Sequence, residues 1–113
     1  MKFGLPDNTL EKMHSVFEKY LHVEKVIIYG SRAKGNYKNG SDIDLTMFGD
    51  SITDRDRRDI FFELDDLPMP YMVDLSVFST LNHADLEAHI LRVGKIFYER
   101  GRVEKLPKSG IPV

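Results

Sequence analysis

Five residues of this chain have the types and the spacing to do chemistry: Gly30 and Ser31, then after ten residues Asp42 and Asp44, and further along Asp74. Asp42 and Asp44 stand at i and i+2 in Ser41-Asp42-Ile43-Asp44-Leu45. On a strand they project to the same side, roughly 7 Å apart along the chain. Their oxygens can then converge on hard, oxygen-preferring cations such as Mg²⁺. A third carboxylate from another strand, Asp74, lets two ions sit about 3.5–4 Å apart, which stabilises both attacking and leaving oxygens in phosphoryl or nucleotidyl transfer. Without cations, three clustered acids repel and raise one another's pKa values. Gly30 permits close backbone approach, and Ser31 offers a hydroxyl and an N–H at the start of a short helix, a favourable place for an anion. Arg32 and Lys34 bring positive charge to the same turn, and an arginine can fork onto phosphate oxygens. The combination is built to hold a nucleoside triphosphate through metal ions.

The elements that must position these residues follow from periodicity. Lys25-Val26-Ile27-Ile28-Tyr29 is a β-branched and aromatic run ended by Gly30, which predicts a central strand covered on both faces. Asn39-Gly40 marks a loop. In the next strand Ile43, Leu45 and Met47 point one way while Asp42, Asp44, Thr46 and Phe48 point the other. The stretch from Tyr71 to Phe78 repeats that design, with Val73, Leu75 and Val77 opposite Met72, Asp74, Ser76 and Phe78. Leu10, Met13, Val16, Phe17, Tyr20 and Leu21 predict a first helix over 9–21, opened by a cap at Asn8. Ile60, Phe61, Leu64 and Leu67 predict a second, over 53–67, stopped by Pro68 and Pro70. Asn82 opens a last helix with Leu86, Ile90, Leu91 and Val93 on its stripe and Gly94 as its stop. Ile96-Phe97-Tyr98 predicts a short edge strand. The sum is a two-layer α+β domain: a mixed, mostly antiparallel sheet of about four strands, with helices packed on one face, opposite the acids.

Length and composition narrow the function. At 113 residues the chain holds one domain, here 1–100, and the basic stretch 101–113 is expected to be a flexible or partner-bound tail. A net charge of −2 argues against a broad electrostatic grip on nucleic acid. The absence of cysteine removes disulfide and thiolate-metal chemistry. No apolar stretch reaches the length of a membrane span. Leu5-Pro6-Asp7-Asn8 interrupts anything like a signal peptide's apolar run, so a cytoplasmic protein is expected. The four histidines form no ligand pair at helical spacing and read as surface or partner-facing residues. Phe48 and Phe78, on the acid-bearing face, read first as core and second as a partner patch.

Gly30-Ser31, ten residues, then Asp42-Ile43-Asp44, with Asp74 on a later strand, closely resembles the polymerase β-like nucleotidyltransferase superfamily. The wording Gly-Ser-Arg-Ala-Lys-Gly and Ser-Asp-Ile-Asp-Leu is similar to its minimal nucleotidyltransferase (MNT) family, commonly encoded beside an all-helical HEPN protein. The resemblance covers about residues 10–98. It implies the polymerase β-like nucleotidyltransferase fold. It implies further that Asp42, Asp44 and Asp74 are catalytic and bind the metal, two Mg²⁺ ions, and that Gly30, Ser31 and Arg32 bind the nucleotide. Asp74 would also act as, or position, the base for an acceptor hydroxyl. Family members paired with HEPN proteins are similar to antitoxins that transfer AMP from ATP to a tyrosine of the HEPN toxin. The resemblance thus implies protein adenylylation with ATP as substrate and an all-helical HEPN partner. Two rivals stand beside it: a non-catalytic nucleotide-binding or steric antitoxin subunit, and nucleotidyl transfer to a small molecule or an RNA end.

Overall fold

The computed structural model describes residues 1–101. Its elements are α1 (Asp7–Glu18), β1 (Lys25–Tyr29), α2 (Gly30–Lys34), β2 (Ile43–Phe48), α3 (Asp54–Asp65), β3 (Val73–Val77), a 3₁₀ turn (Phe78–Thr80), α4 (Ala84–Val93) and β4 (Lys95–Glu99). The sheet order is β3-β2-β1-β4. β1 runs antiparallel to β2 and to β4, while β2 and β3 are parallel and are joined through α3, as a parallel pair requires a crossover. The mixed sheet, the central β1 and the edge β4 agree with the sequence reading.

Alternation sorts the strands into two faces. Val26, Ile28, Ile43, Leu45, Met47, Val73, Leu75 and Val77 share the main core with Met13, Val16 and Phe17 of α1 and Ile60 and Leu64 of α3. The opposite face carries the acids, and there the expectation of helices on one face only needs correcting. Ile27 and Tyr29 of β1 form a second buried cluster with Ile90 of α4, flanked by Phe48, Phe78, Leu86 and Val93. α4 therefore packs on the acid-bearing face. Gly94 leaves room for that packing. It stops the helix as expected, with an extended backbone (φ −65°, ψ 151°), and a Cβ there would collide with the Ile90 carbonyl and Ile27 Cγ2. Phe48 and Phe78 stack with centroids 4.6 Å apart as part of this second core.

Helix ends also shift for identifiable reasons. α1 starts behind Pro6, whose φ of −62° is preset for helix entry, so Asn8 lies inside the helix and does not cap it. It ends at Glu18, leaving Leu21 76% exposed, because Arg100 bonds the carbonyls of Phe17, Glu18 and Tyr20. Arg100 thus anchors the end of the domain to the end of α1; of the expected tail, 101–113, residues 102–113 lie outside the described residues. α3 has a capping box, Thr53 with Asp56. α4 is capped by His83, whose Nδ1 accepts from the Leu86 N–H, with Asn82 turned left-handed before it (φ 53°).

Candidate active site

The turn after β1 is where backbone and carboxylate meet. Gly30 has φ +72°, in the left-handed region that favours glycine. A Cβ on it would collide with Asp44 Oδ2, so the Asp44 carboxylate rests against the Gly30 backbone. Register explains the proximity. Tyr29 is paired with Asp44 across the antiparallel β1–β2 ladder, and Asp44 with Asp74 across the parallel β2–β3 ladder. Asp42 enters β2 just before, with the same parity. Ser31 follows Gly30 in α2, and Gly35, at φ +89°, ends that short helix.

The electrostatics are those of crowded acids. Burial first, then the charge on Asp74, then that on Asp42, hold the Asp44 carboxyl above the ordinary aspartate value. Among the described residues none of the three carboxylates makes an ion pair with a basic side chain. The three share a face and act on one another, but among the described residues no three acidic or histidine side chains converge closely enough to hold a metal ion. Asp42 and Asp74 are exposed, whereas Asp44 is half-buried.

Asp44 strain has a signed consequence. A raised folded-state pKa means that the ionised carboxylate is less stable in the fold than in the unfolded chain. The penalty is complete above the folded pKa and disappears as the pH falls below the unfolded value. In metal-free buffer at pH 7, Asp44→Asn is therefore expected to melt above the wild type, the gap closing as the pH is lowered through the folded pKa of Asp44. Paired thermal melts across that range check it, and an Asp44→Asn chain that melts lower at pH 7 would contradict it.

Two residues sit differently from their sequence reading. Arg32, expected at the nucleotide, is 3% exposed: its guanidinium bonds the carbonyls of Ser41 and Phe3 and lies 5.2 and 4.9 Å from the ring centres of Tyr37 and Tyr71. It faces the protein interior, where the Ser41 and Phe3 carbonyls accept its N–H groups. Lys34 is exposed. Tyr29 was read only as strand. Its phenol stands in line with Asp44 and Asp74 and is pushed above its ordinary pKa by burial, then by the charges of Asp74 and Asp44, with the Ser76 hydroxyl acting the other way. It is thus a phenol kept neutral beside two acids. Ser76 in turn donates to the buried Thr46 hydroxyl at 2.9 Å. The period-2 alternation of β1 carried this signal, since Tyr29 shares parity with Ile27 on the acid face.

Comparison with known proteins bears on this arrangement. No curated protein matches the chain in sequence. Solved structures do share its fold. A toxin–antitoxin complex with AMP-PNP superposes with a TM-score of 0.65 at 19% identity, over 86% of this chain and 76% of that one. The MntA–HepT toxin–antitoxin gives 0.61 at 16%, over 83% and 73%. A tri-AMPylated Shewanella oneidensis HEPN toxin in complex with MNT antitoxin gives 0.60 at 16%, over 81% and 71%. At such identities the likeness is one of fold. No described helix is long and apolar enough to cross a membrane. The sequence profile of the polymerase beta nucleotidyltransferases matches residues 11–102, nearly the whole described chain and every residue of the turn and acid face, and the chain belongs to that family.

Proposed function

We propose that this chain is a Mg²⁺-dependent nucleotidyltransferase that moves AMP from ATP onto a hydroxyl, the acceptor being a tyrosine of an all-helical HEPN-type partner, within a cytoplasmic toxin–antitoxin pair. The observation that carries the reading is the line Gly30, Asp44, Asp74: a carboxylate lying on a glycine turn, in register with a second carboxylate on the next strand. The neighbouring folds, crystallised with AMP-PNP or beside an AMPylated HEPN toxin, support the nucleotide and the partner.

The donor set fits the cation. It offers only carboxylate oxygens, the ligands that Mg²⁺ takes, and Asp44 is an anion destabilised by burial and two like charges, which a hard divalent ion relieves. Bound Mg²⁺ would supply charge neutralisation at the α-phosphate and at the departing pyrophosphate. Asp42 and Asp44 would hold it, with Asp74 completing the set. The Ser31 hydroxyl and the Gly30 backbone receive the tail of the triphosphate, which no side chain at position 30 obstructs. Asp74 is exposed at the edge strand, where an acceptor hydroxyl can reach it and lose its proton to it. The hydroxyl oxygen bonds to the α-phosphorus in line, the bond to the pyrophosphate oxygen breaks, and AMP remains on the acceptor.

Incubation of the chain and its genomic neighbour with ATP labelled at the α-phosphate tests this. Label on a tyrosine of the partner is expected. Label in an RNA or small-molecule fraction would reassign the acceptor, and an unlabelled but neutralised partner would mean neutralisation by occupancy alone.

A further inference from the structure

The buried Arg32 side chain contacts several of the segments that surround the site. Nε and Nη2 both donate to the Ser41 carbonyl, at 3.0 and 2.8 Å, immediately before Asp42. Nη1 donates to the Phe3 carbonyl at 2.9 Å. The guanidinium carbon lies 5.2 Å from the Tyr37 ring centre and 4.9 Å from that of Tyr71, three residues before Asp74. Arg32 itself follows Ser31 directly. The Tyr37 ring covers Gly4, where a Cβ would collide with it. One planar group thus joins the phosphate turn, the loop that delivers Asp42, the approach to β3 and the amino-terminal turn.

Stability alone is a poor reason for such a residue. A buried guanidinium carries a large desolvation cost, and no carboxylate among the described residues pairs with it. Apolar side chains of similar volume commonly give equal or better stability. What they cannot give is a rigid fork onto one carbonyl together with cation–π contact to two aromatic rings. Nor is its charge among the causes that raise the Asp44 pKa, which are burial, Asp74 and Asp42.

We infer that Arg32 is a positioning residue: it fixes the spacing of Ser31, Asp42 and Asp74 by tying their three segments together, and does not contact the triphosphate. The inference rests on the nucleotidyltransferase reading for its kinetic arm only. Misplacement of reacting groups by about 1 Å can cost a hundredfold in rate.

Arg32→Lys, which keeps the charge and loses the fork, and Arg32→Met are the test, read by transfer kinetics and by amide hydrogen exchange of the chain without nucleotide or metal. Both variants are expected to lose about a hundredfold in kcat, more than in KM for ATP. Exchange at the amides of Ser41, Asp42 and Ile43 is expected to rise about tenfold or more, with Ile60 and Leu64 in α3 unchanged. Wild-type kcat with unchanged exchange in Arg32→Lys would overturn the inference. So would a loss confined to KM with the loop still protected, which would make Arg32 a phosphate contact. Should both variants unfold, Tyr71→Leu decides: the same signature at about tenfold in kcat supports the inference, and wild-type behaviour refutes it. Should the wild type transfer no nucleotide, the proposed function fails and the exchange measurement alone judges Arg32.

Discussion

Exchanging Asp42 and Asp44 together for asparagine is expected to abolish transfer while the chain stays folded and bound to its partner. Neutral amides keep the shape of the side chains but remove both charges through which a divalent ion would be held. Charge stabilisation by such ions is worth several kcal/mol, so the rate should fall about a thousandfold or more. The fold should not suffer, because Asp44 is ionised at a cost imposed by burial and by Asp74 and Asp42. Neither residue belongs to the main core. Single-turnover labelling measures the rate, and co-purification measures the complex. Retained labelling in the double variant would remove these acids from the chemistry.

Gly30→Ala should have the next largest effect, through a contact and not a charge. The left-handed backbone at φ +72° costs an alanine about 1–2 kcal/mol, and the added methyl would press into Asp44 Oδ2. Asp44 must then swing out of line with Asp74, and a displacement on the scale of 1 Å is worth about a hundredfold in rate. Gly35 provides the control. Its φ is +89°, but nothing lies within 4 Å of a Cβ built there. Gly35→Ala should therefore melt lower by a similar backbone cost and still transfer. Equal loss of activity in both variants would assign the effect to backbone strain and not to the collision.

The relation of Asp44 to Asp74 was legible because each strand buries one face. Ile43, Leu45 and Met47, like Val73, Leu75 and Val77, fix the parity, and parity fixes the side on which the acids emerge. The side on which α4 docks was not legible, because a stripe of Leu86, Ile90 and Val93 states that a helix has an apolar face without stating which sheet face receives it. Gly94 carried that information in its lost Cβ, a fact about Ile27 and the Ile90 carbonyl far from any local motif. The burial of Arg32 was not legible for a related reason. Sequence gives its charge and its place in the motif, but direction on a five-residue helix depends on the Ser41 and Phe3 carbonyls that answer it. Tyr29 was missed because its strand is buried on both faces from Val26 onward, so its parity with Ile27 has no polar residue beside it to mark the acid face.

The central claim is that Asp42, Asp44 and Asp74 gather round divalent cations beside a triphosphate seated on the Gly30–Ser31 turn. A crystal structure with AMP-PNP and Mn²⁺, the metal located by its anomalous scattering, measures this directly. The expected map has Mn²⁺ bonded to oxygens of Asp42 and Asp44, Asp74 turned to the same ions, and the terminal phosphate within hydrogen-bond reach of the Ser31 hydroxyl. Mn²⁺ elsewhere, or nucleotide bound away from the turn with Asp44 uncoordinated, would contradict it.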